Sequence, residues 1–207
     1  MADIRIGGLA RLSTCDWPGE LVATVFCQGC GWACAYCHNP HLLPARGMHE
    51  LAWPDVLAFL ESRRGLLDAV VFSGGEPTLQ SALLEVVRAV RCLGFRIGLH
   101  TGGPSPERLA ALLPWLDWVG FDVKAPFDEY ARVTGVPGSG EKALASLRLL
   151  AASGVAFEVR TTVHPALLDE AALTRLRADL AGLGLHDHRV QAFRAAGCRD
   201  PALVASA

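Results

Sequence analysis

Three kinds of stretch are missing from this 207-residue sequence. No uninterrupted apolar run reaches the ~18 residues a membrane-spanning helix needs; the nearest segment, 143–157, is broken by Arg148. No basic segment leads into an apolar run at the start, so no signal peptide is expected. No long basic run occurs and the formal net charge is −2, which argues against nucleic acid as the main partner. Charge of either sign is sparse. Charged residues make up 19% against 51% hydrophobic ones, the balance of a globular chain rather than a disordered one. Repeats and low-complexity tracts are absent as well. The expectation is one cytoplasmic domain over 1–207, with no membrane and no nucleic acid as partner. In a reducing compartment its cysteines bind metal or do redox chemistry rather than form bridges.

What is present is an alternation. Short β-branched runs at Leu21–Phe26, Ala69–Phe72, Arg96–His100, Trp118–Val123, Phe157–Val163 and Val190–Phe193 read as strands. Helical spacing follows at Trp53–Glu61, Leu79–Leu93, Pro106–Leu113, Lys142–Ala152 and Glu170–Ala181. Gly94 is placed to end the second helix. Strands alternating with helices of this length predict βα units and a parallel sheet. Six such strands suit an α/β fold with an open sheet or an incomplete barrel. Residues before Leu21 are expected to be irregular and to pack across a sheet edge or the barrel bottom. The tail from Ala195 shows no pattern.

Four of the seven cysteines lie within eleven residues, as Cys27-x2-Cys30-x3-Cys34-x2-Cys37. Zinc ribbons pair CxxC motifs across a dozen or more residues, which this tight loop does not do. The four-cysteine bacterial ferredoxin run, C-x2-C-x2-C-x3-C-P, does not match either. The subset Cys30-x3-Cys34-x2-Cys37 fits another pattern, three thiolates on a four-iron cluster with one iron left open. Cys27, at a strand end, is expected to be a buried thiol rather than a ligand. Cys92 is expected in the core, Cys15 is isolated, and Cys198 lies in the irregular tail.

The loop with His38-Asn39-Pro40 after it, and Ser73-Gly74-Gly75-Glu76-Pro77 after the second strand, resemble the radical S-adenosylmethionine (SAM) superfamily. More narrowly, four features resemble the anaerobic ribonucleoside-triphosphate reductase activating proteins, which are glycyl-radical enzyme activases. They are Gly7-Gly8-Leu9 with Ser13-Thr14-Cys15-Asp16-Trp17-Pro18-Gly19, the cysteine loop, Asp122-Val123-Lys124-Ala125-Pro126, and Arg160-Thr161-Thr162-Val163-His164-Pro165. The match runs from about residue 4 to 194.

The resemblance implies an incomplete (β/α)6 TIM-type barrel. It implies a [4Fe–4S] cluster on Cys30, Cys34 and Cys37, with SAM on the open iron. It places Gly74, Gly75, Glu76 and Pro77 at the cofactor's methionine moiety, where bare backbone allows close approach. It further implies a large glycyl-radical partner, anaerobic ribonucleotide reductase foremost, and a flavodoxin or ferredoxin as electron donor. In the sister enzymes an aspartate in the sequence Asp-Thr-Asn-Gly helps hold a monovalent cation beside the cofactor. Here the corresponding residues are His100-Thr101-Gly102-Gly103, which puts that cation site in doubt.

Period-two alternation supplies an independent reading. Asp122 and Lys124 share one strand face, and Glu158, Arg160 and Thr162 share another. A polar barrel interior holding a zwitterionic cofactor satisfies these charges; so does a plain structural ion pair. Lys124 is the candidate for the SAM carboxylate. Thr101, Asp122 and Arg160 are candidates for nearby polar contacts, and His164 for the ribose or for a turn cap. Gln191 and Arg194 are weaker candidates, and Trp32 and Tyr36 are expected to shield the cluster loop. Two other functions fit the cysteines. One is a radical SAM enzyme acting on a small molecule, like the deazaguanine-forming synthases; the other is a non-catalytic iron–sulfur electron carrier.

Overall fold

A computed structural model describes residues 3–198 and 200–206. Seven strands form one sheet in chain order: β1 (Ile6–Ser13), β2 (Val22–Cys27), β3 (Ala69–Gly74), β4 (Arg96–Thr101), β5 (Trp118–Asp122), β6 (Ala156–Val163) and β7 (His188–Ala192). From β2 to β7 every neighbouring pair is parallel. The connections carry α1 (Trp53–Glu61), α2 (Leu83–Cys92), α3 (Pro106–Leu112), α4 (Tyr130–Thr134), α5 (Ser139–Ala152) and α6 (Glu170–Ala181); α7 (Pro201–Ala205) follows β7. Six parallel strands with helical crossovers make the expected α/β fold, an incomplete barrel. Among the described residues its edges, β1 and β7, are not paired with each other.

Three expectations about the elements need correction. Residues before Leu21 are not irregular, since Ile6–Ser13 pairs antiparallel with β2. Gly7 and Gly8 dilute the strand signal there, and the pairing is broken by register shifts at two points. The tail is not patternless either, because Asp200 accepts the Ala202 N–H at 2.9 Å and caps α7. The helix expected at Leu79–Leu93 starts later. A single 3-10 turn, Pro77–Leu79, intervenes, with Glu76 capping it, and α2 begins at Leu83.

The sheet buries both faces differently. Its outer face meets the helices in a large apolar core; on α2, Leu83, Val86, Val87 and Val90 form the buried stripe. The inner face carries a small separate cluster of Trp17, Val22, Ala69, Val71 and Trp118. Trp17 comes from the β1–β2 connection and stacks on Trp118 with ring centroids 5.4 Å apart. Gly98 makes room for it, since a Cβ there would lie 2.9 Å from the Trp17 ring. One end of the interior is thus plugged by stacked indoles. The polar inward residues, Ser73, His100, Asp122, Arg160 and Thr162, lie toward the other end, where parallel strands finish. Cys92, expected in the core, is exposed; it closes α2 one residue before the C-cap.

Candidate functional site

The cysteine loop follows β2 and is held almost entirely by main chain. Gly29 N–H donates to Leu42 O at 2.8 Å and Cys30 N–H to Leu43 O at 3.1 Å. Ala33 and Ala35 N–H donate to Thr134 O and Val133 O at 2.9 and 3.2 Å, so the end of α4 supports the loop's middle. Gln28, buried, donates through its side-chain amide to His41 O and Pro44 O and pins the return of the loop. His38 Nε2–H donates to Arg194 O at 2.8 Å, and its ring stacks on Phe193. With the backbone satisfied by neighbours, the thiols are left to face inward.

Cys30, Cys34 and Cys37 all line one cavity of about 190 Å³. Trp32 and Tyr36, both buried, line it too, as does Lys124. Burial pushes the Cys30 thiol up to about 12, against the Trp32 N–H that donates to its sulfur at 3.4 Å. Burial likewise raises Cys34, opposed by the nearby Lys124 ammonium. A metal centre would reverse this, because binding thiolate expels the proton.

Cys27 lies outside the cavity lining, fully buried and paired in register with Gly74; burial raises its pKa further than that of Cys30. The Cys198 thiol meets the outside of the loop, 3.6 Å from Ala35 O. Among the described residues no three His, Cys, Asp or Glu side chains converge on one metal ion. A cubane cluster does not ask for that, since each thiolate takes a different iron. The donor set, three thiols and no fourth cysteine around one wall of a cavity, fits such a cluster.

The Gly-Gly-Glu-Pro turn lines the same cavity with Gly74, Gly75 and Glu76. Gly75 N–H donates to Cys27 O and Glu76 N–H to Gly29 O, each at 2.9 Å, so the turn is bonded directly to the cysteine loop. The glycines are required by that approach. A Cβ on Gly75 would lie 2.3 Å from Gly29 O, and one on Gly74, whose φ is +109°, would lie 2.5 Å from Cys27 N. The buried Glu76 carboxylate accepts from Thr78 N–H, Thr78 Oγ, Thr101 Oγ and Gly102 N–H at 2.7–3.0 Å. Burial raises its pKa, against these four donors. Glu76 therefore locks the turn to the end of β4. Pro77 is buried, begins the 3-10 turn and is not part of the cavity wall.

The charged strand ends complete the site. Arg160 Nη2 and Nε lie 3.0 and 3.1 Å from Asp122 Oδ1, and Lys124 Nζ is 3.9 Å from Asp122 Oδ2. Burial works to raise the Asp122 pKa, and Arg160, Lys124 and His100 outweigh it, so the carboxyl titrates below its ordinary range. Burial also works against the Lys124 ammonium; Tyr36, Cys34 and Asp122 reverse this and raise its pKa. Gly120 leaves the space for Arg160 and His100, since a Cβ there would be 2.9 Å from the guanidinium and from the imidazole. His100 accepts from Ser73 Oγ at Nδ1 (3.2 Å) and donates from Nε2 to Asp16 O (2.7 Å).

The cavity thus brings together Cys30, Cys34, Cys37, Gly74, Gly75, Glu76, Thr101, Asp122 and Lys124. Arg160 reaches it through Asp122 and itself lines an adjoining cleft with Glu158, Arg189, Gln191 and Arg194. The two spaces share His38 and Thr162. His164 is turned elsewhere. It is buried, accepts the Ala166 N–H at Nδ1 and reaches Leu203 O with Nε2, so it caps a turn and anchors α7. Two contributors escaped the sequence reading, α4 and Tyr130. Tyr130 OH accepts the Lys124 N–H at 3.0 Å, and Gly135, left-handed at φ +71°, was the available sign of a helix end there.

The profile of the Radical SAM superfamily matches residues 24–176. A Methanocaldococcus jannaschii protein named as a glycyl-radical enzyme activating enzyme is 36% identical over 174 residues, covering 80% of this chain and 70% of the relative. The pyruvate formate-lyase-activating enzyme of Clostridium pasteurianum is 30% identical over 171 residues, covering 80% of this chain and 71% of the relative. In fold the chain is similar to Streptococcus suis SuiB bound to S-adenosylmethionine, with a TM-score of 0.62 at 12% identity. That match covers 81% of this chain and 39% of SuiB, so the chain spans about two fifths of the solved protein. The chain belongs to the radical SAM superfamily and is a homologue of the glycyl-radical enzyme activating enzymes.

Proposed function

We propose that this protein is a radical SAM activase that abstracts hydrogen from a backbone glycine of a glycyl-radical enzyme, anaerobic ribonucleotide reductase foremost. The observation that carries this reading is the convergence of three cysteine thiols, the Gly-Gly-Glu-Pro turn and Lys124 on one cavity. Cys30, Cys34 and Cys37 would hold a [4Fe–4S] cluster, and SAM would lie between it, the turn and Lys124. When bound and reduced by a flavodoxin or ferredoxin, such a cluster would supply the one-electron chemistry that cleaves SAM and so allows hydrogen to be taken from the glycine.

The chain's own residues bind and exclude. Gly74 and Gly75 keep the turn hard against the cysteine loop; Glu76 holds that turn to β4; Lys124 offers a fixed ammonium to a carboxylate. Trp32 and Tyr36 close the wall to water. The adjoining cleft between the β1–β2 connection and β7 leaves a side through which a loop of a protein can enter. Homology over four fifths of the chain to two activases supports a protein substrate over a small molecule.

Anaerobic reconstitution with iron and sulfide, then reduction with SAM present, should yield 5′-deoxyadenosine. None forming would end both radical SAM readings. Added anaerobic ribonucleotide reductase should then show a glycyl signal by electron paramagnetic resonance. Deoxyadenosine without such a signal from any glycyl-radical enzyme would favour the small-molecule alternative.

A further inference from the structure

In the sister enzymes an aspartate at this strand end helps hold the monovalent cation, and here the polar groups at the ends of β4 and β5 are already engaged. Glu76 and Asp16 lie near these ends, the Asp16 Oδ2 accepting from Thr24 Oγ1 at 2.7 Å. The third carboxylate is Asp122, and Arg160 already holds its Oδ1 through both Nε and Nη2. Its Oδ2 faces Lys124. His100 has neither nitrogen to spare, since one meets Ser73 and the other Asp16 O. The Thr101 hydroxyl donates to Glu76 and accepts the Gly103 N–H. Glu76 itself is enclosed by four donors. Asp122 is flanked by two cationic side chains, so its charge is already compensated. A metal cation added there meets repulsion and displaces hydrogen bonds of the charged type, the strongest a protein makes.

We propose that the Arg160 guanidinium is the built-in counter-ion of Asp122, so that this protein neither binds nor requires Na+ or K+ at that carboxylate. Two residues shape its surroundings. Gly120 clears the volume the guanidinium fills, and the imidazole of His100 stands where the sister enzymes carry a second carboxylate. Lys124, whose Nζ is 3.9 Å from Asp122 Oδ2, remains available to an incoming carboxylate. Only this last clause rests on the proposed activity; the cation statement does not.

The test uses anaerobically prepared full-length protein in tetramethylammonium chloride, titrated with NaCl and followed by 23Na line broadening. Wild type is expected to show no saturable broadening. Arg160→Gln frees Asp122 and is expected to gain a saturable Na+ site that K+ competes away, whereas Arg160→Lys, which keeps a charge, gains none. Saturable binding to wild type that disappears in Asp122→Asn overturns the proposal. So does an Arg160→Gln protein with wild-type circular dichroism and no Na+ site. Should Arg160→Gln fail to fold, the wild-type titration against Asp122→Asn still decides. If deoxyadenosine forms, its rate should be the same in tetramethylammonium, sodium and potassium salts; a sodium or potassium requirement also overturns it. Failure of the activase reading leaves the titration result standing.

Discussion

A single methyl group at Gly75 tests whether the Gly-Gly-Glu-Pro turn and the cysteine loop are one unit. An alanine Cβ there would lie 2.3 Å from Gly29 O, 2.7 Å from Gly29 C and 2.9 Å from Leu42 O. All three are backbone atoms, with no flexible end to swing aside. Gly75 is not among the positive-φ glycines, so the effect is steric alone. Restoring ordinary contact requires turn and loop to part by about 1 Å. The Glu76 N–H bond to Gly29 O, now 2.9 Å, does not survive that.

Overpacking of this kind costs about 1–3 kcal/mol, and the lost hydrogen bond about 1 more. With a urea slope of about 2 kcal/mol per molar, Gly75→Ala should lower the unfolding midpoint by roughly 1–2 M. Urea unfolding followed by circular dichroism reads this directly, and iron content after reconstitution reads the displaced loop. Gly182→Ala is the control, since its nearest neighbours would be 3.4 and 3.5 Å away and its φ is −61°. A Gly75→Ala midpoint indistinguishable from wild type, with undiminished iron, would refute the coupling of turn and loop.

Other outcomes follow from the same structure. Cys27→Ala should retain its reconstituted iron, while alanine at Cys30, Cys34 or Cys37 should lose it; equal loss at Cys27, by iron analysis, would make it a ligand. His100 is held below its ordinary pKa by burial and by Arg160, so below about pH 6.5 the unfolded chain takes up a proton that the folded one refuses. Stability contributed here should therefore rise with pH up to about 6.5 and stay level above it. His100→Gln should flatten that slope in urea midpoints taken across the range, and an unchanged slope would count against the assignment. Trp17→Ala empties the plugged end beside Trp118 and should cost about 3–5 kcal/mol, read by the same unfolding curves; a loss under about 1 kcal/mol would mean the end collapses to fill it.

The parallel architecture was legible because β2 to β5 are largely buried runs bounded by turns, as in Ala69–Phe72. The charged inward face was legible because a period of two needs no tertiary information: Asp122, Lys124, Arg160 and Thr162 fall where alternation puts them. β1 was not, because Gly7 and Gly8 carry no side chains to alternate. Gly7 is a glycine for a local reason, to clear Leu42 and Gln28. The role of Gly74 and Gly75 was only half legible. A sequence shows that bare backbone is wanted, and here the neighbour that wants it is the cysteine loop itself. His164 shows the limit from the other side. A polar residue after a strand suggests a site, yet its partners are Ala166 and Leu203, the second 39 positions away. Contacts of that range, like those of α4 with the cysteine loop, leave no mark in local pattern.

The way the cysteine loop is held also orders the events of biosynthesis. Its carbonyl partners are Leu42 and Leu43 nearby, Val133 and Thr134 about a hundred residues later, and Arg194 later still. On a ribosome the cysteines emerge first, and the backbone that shapes their loop comes last. Until residue 134 has been made, the segment with Cys30, Cys34 and Cys37 lacks two of the backbone partners that shape it. The loop is therefore fully held only on a nearly finished chain. Metal added to the nascent protein, before that point, would find thiols without their cage.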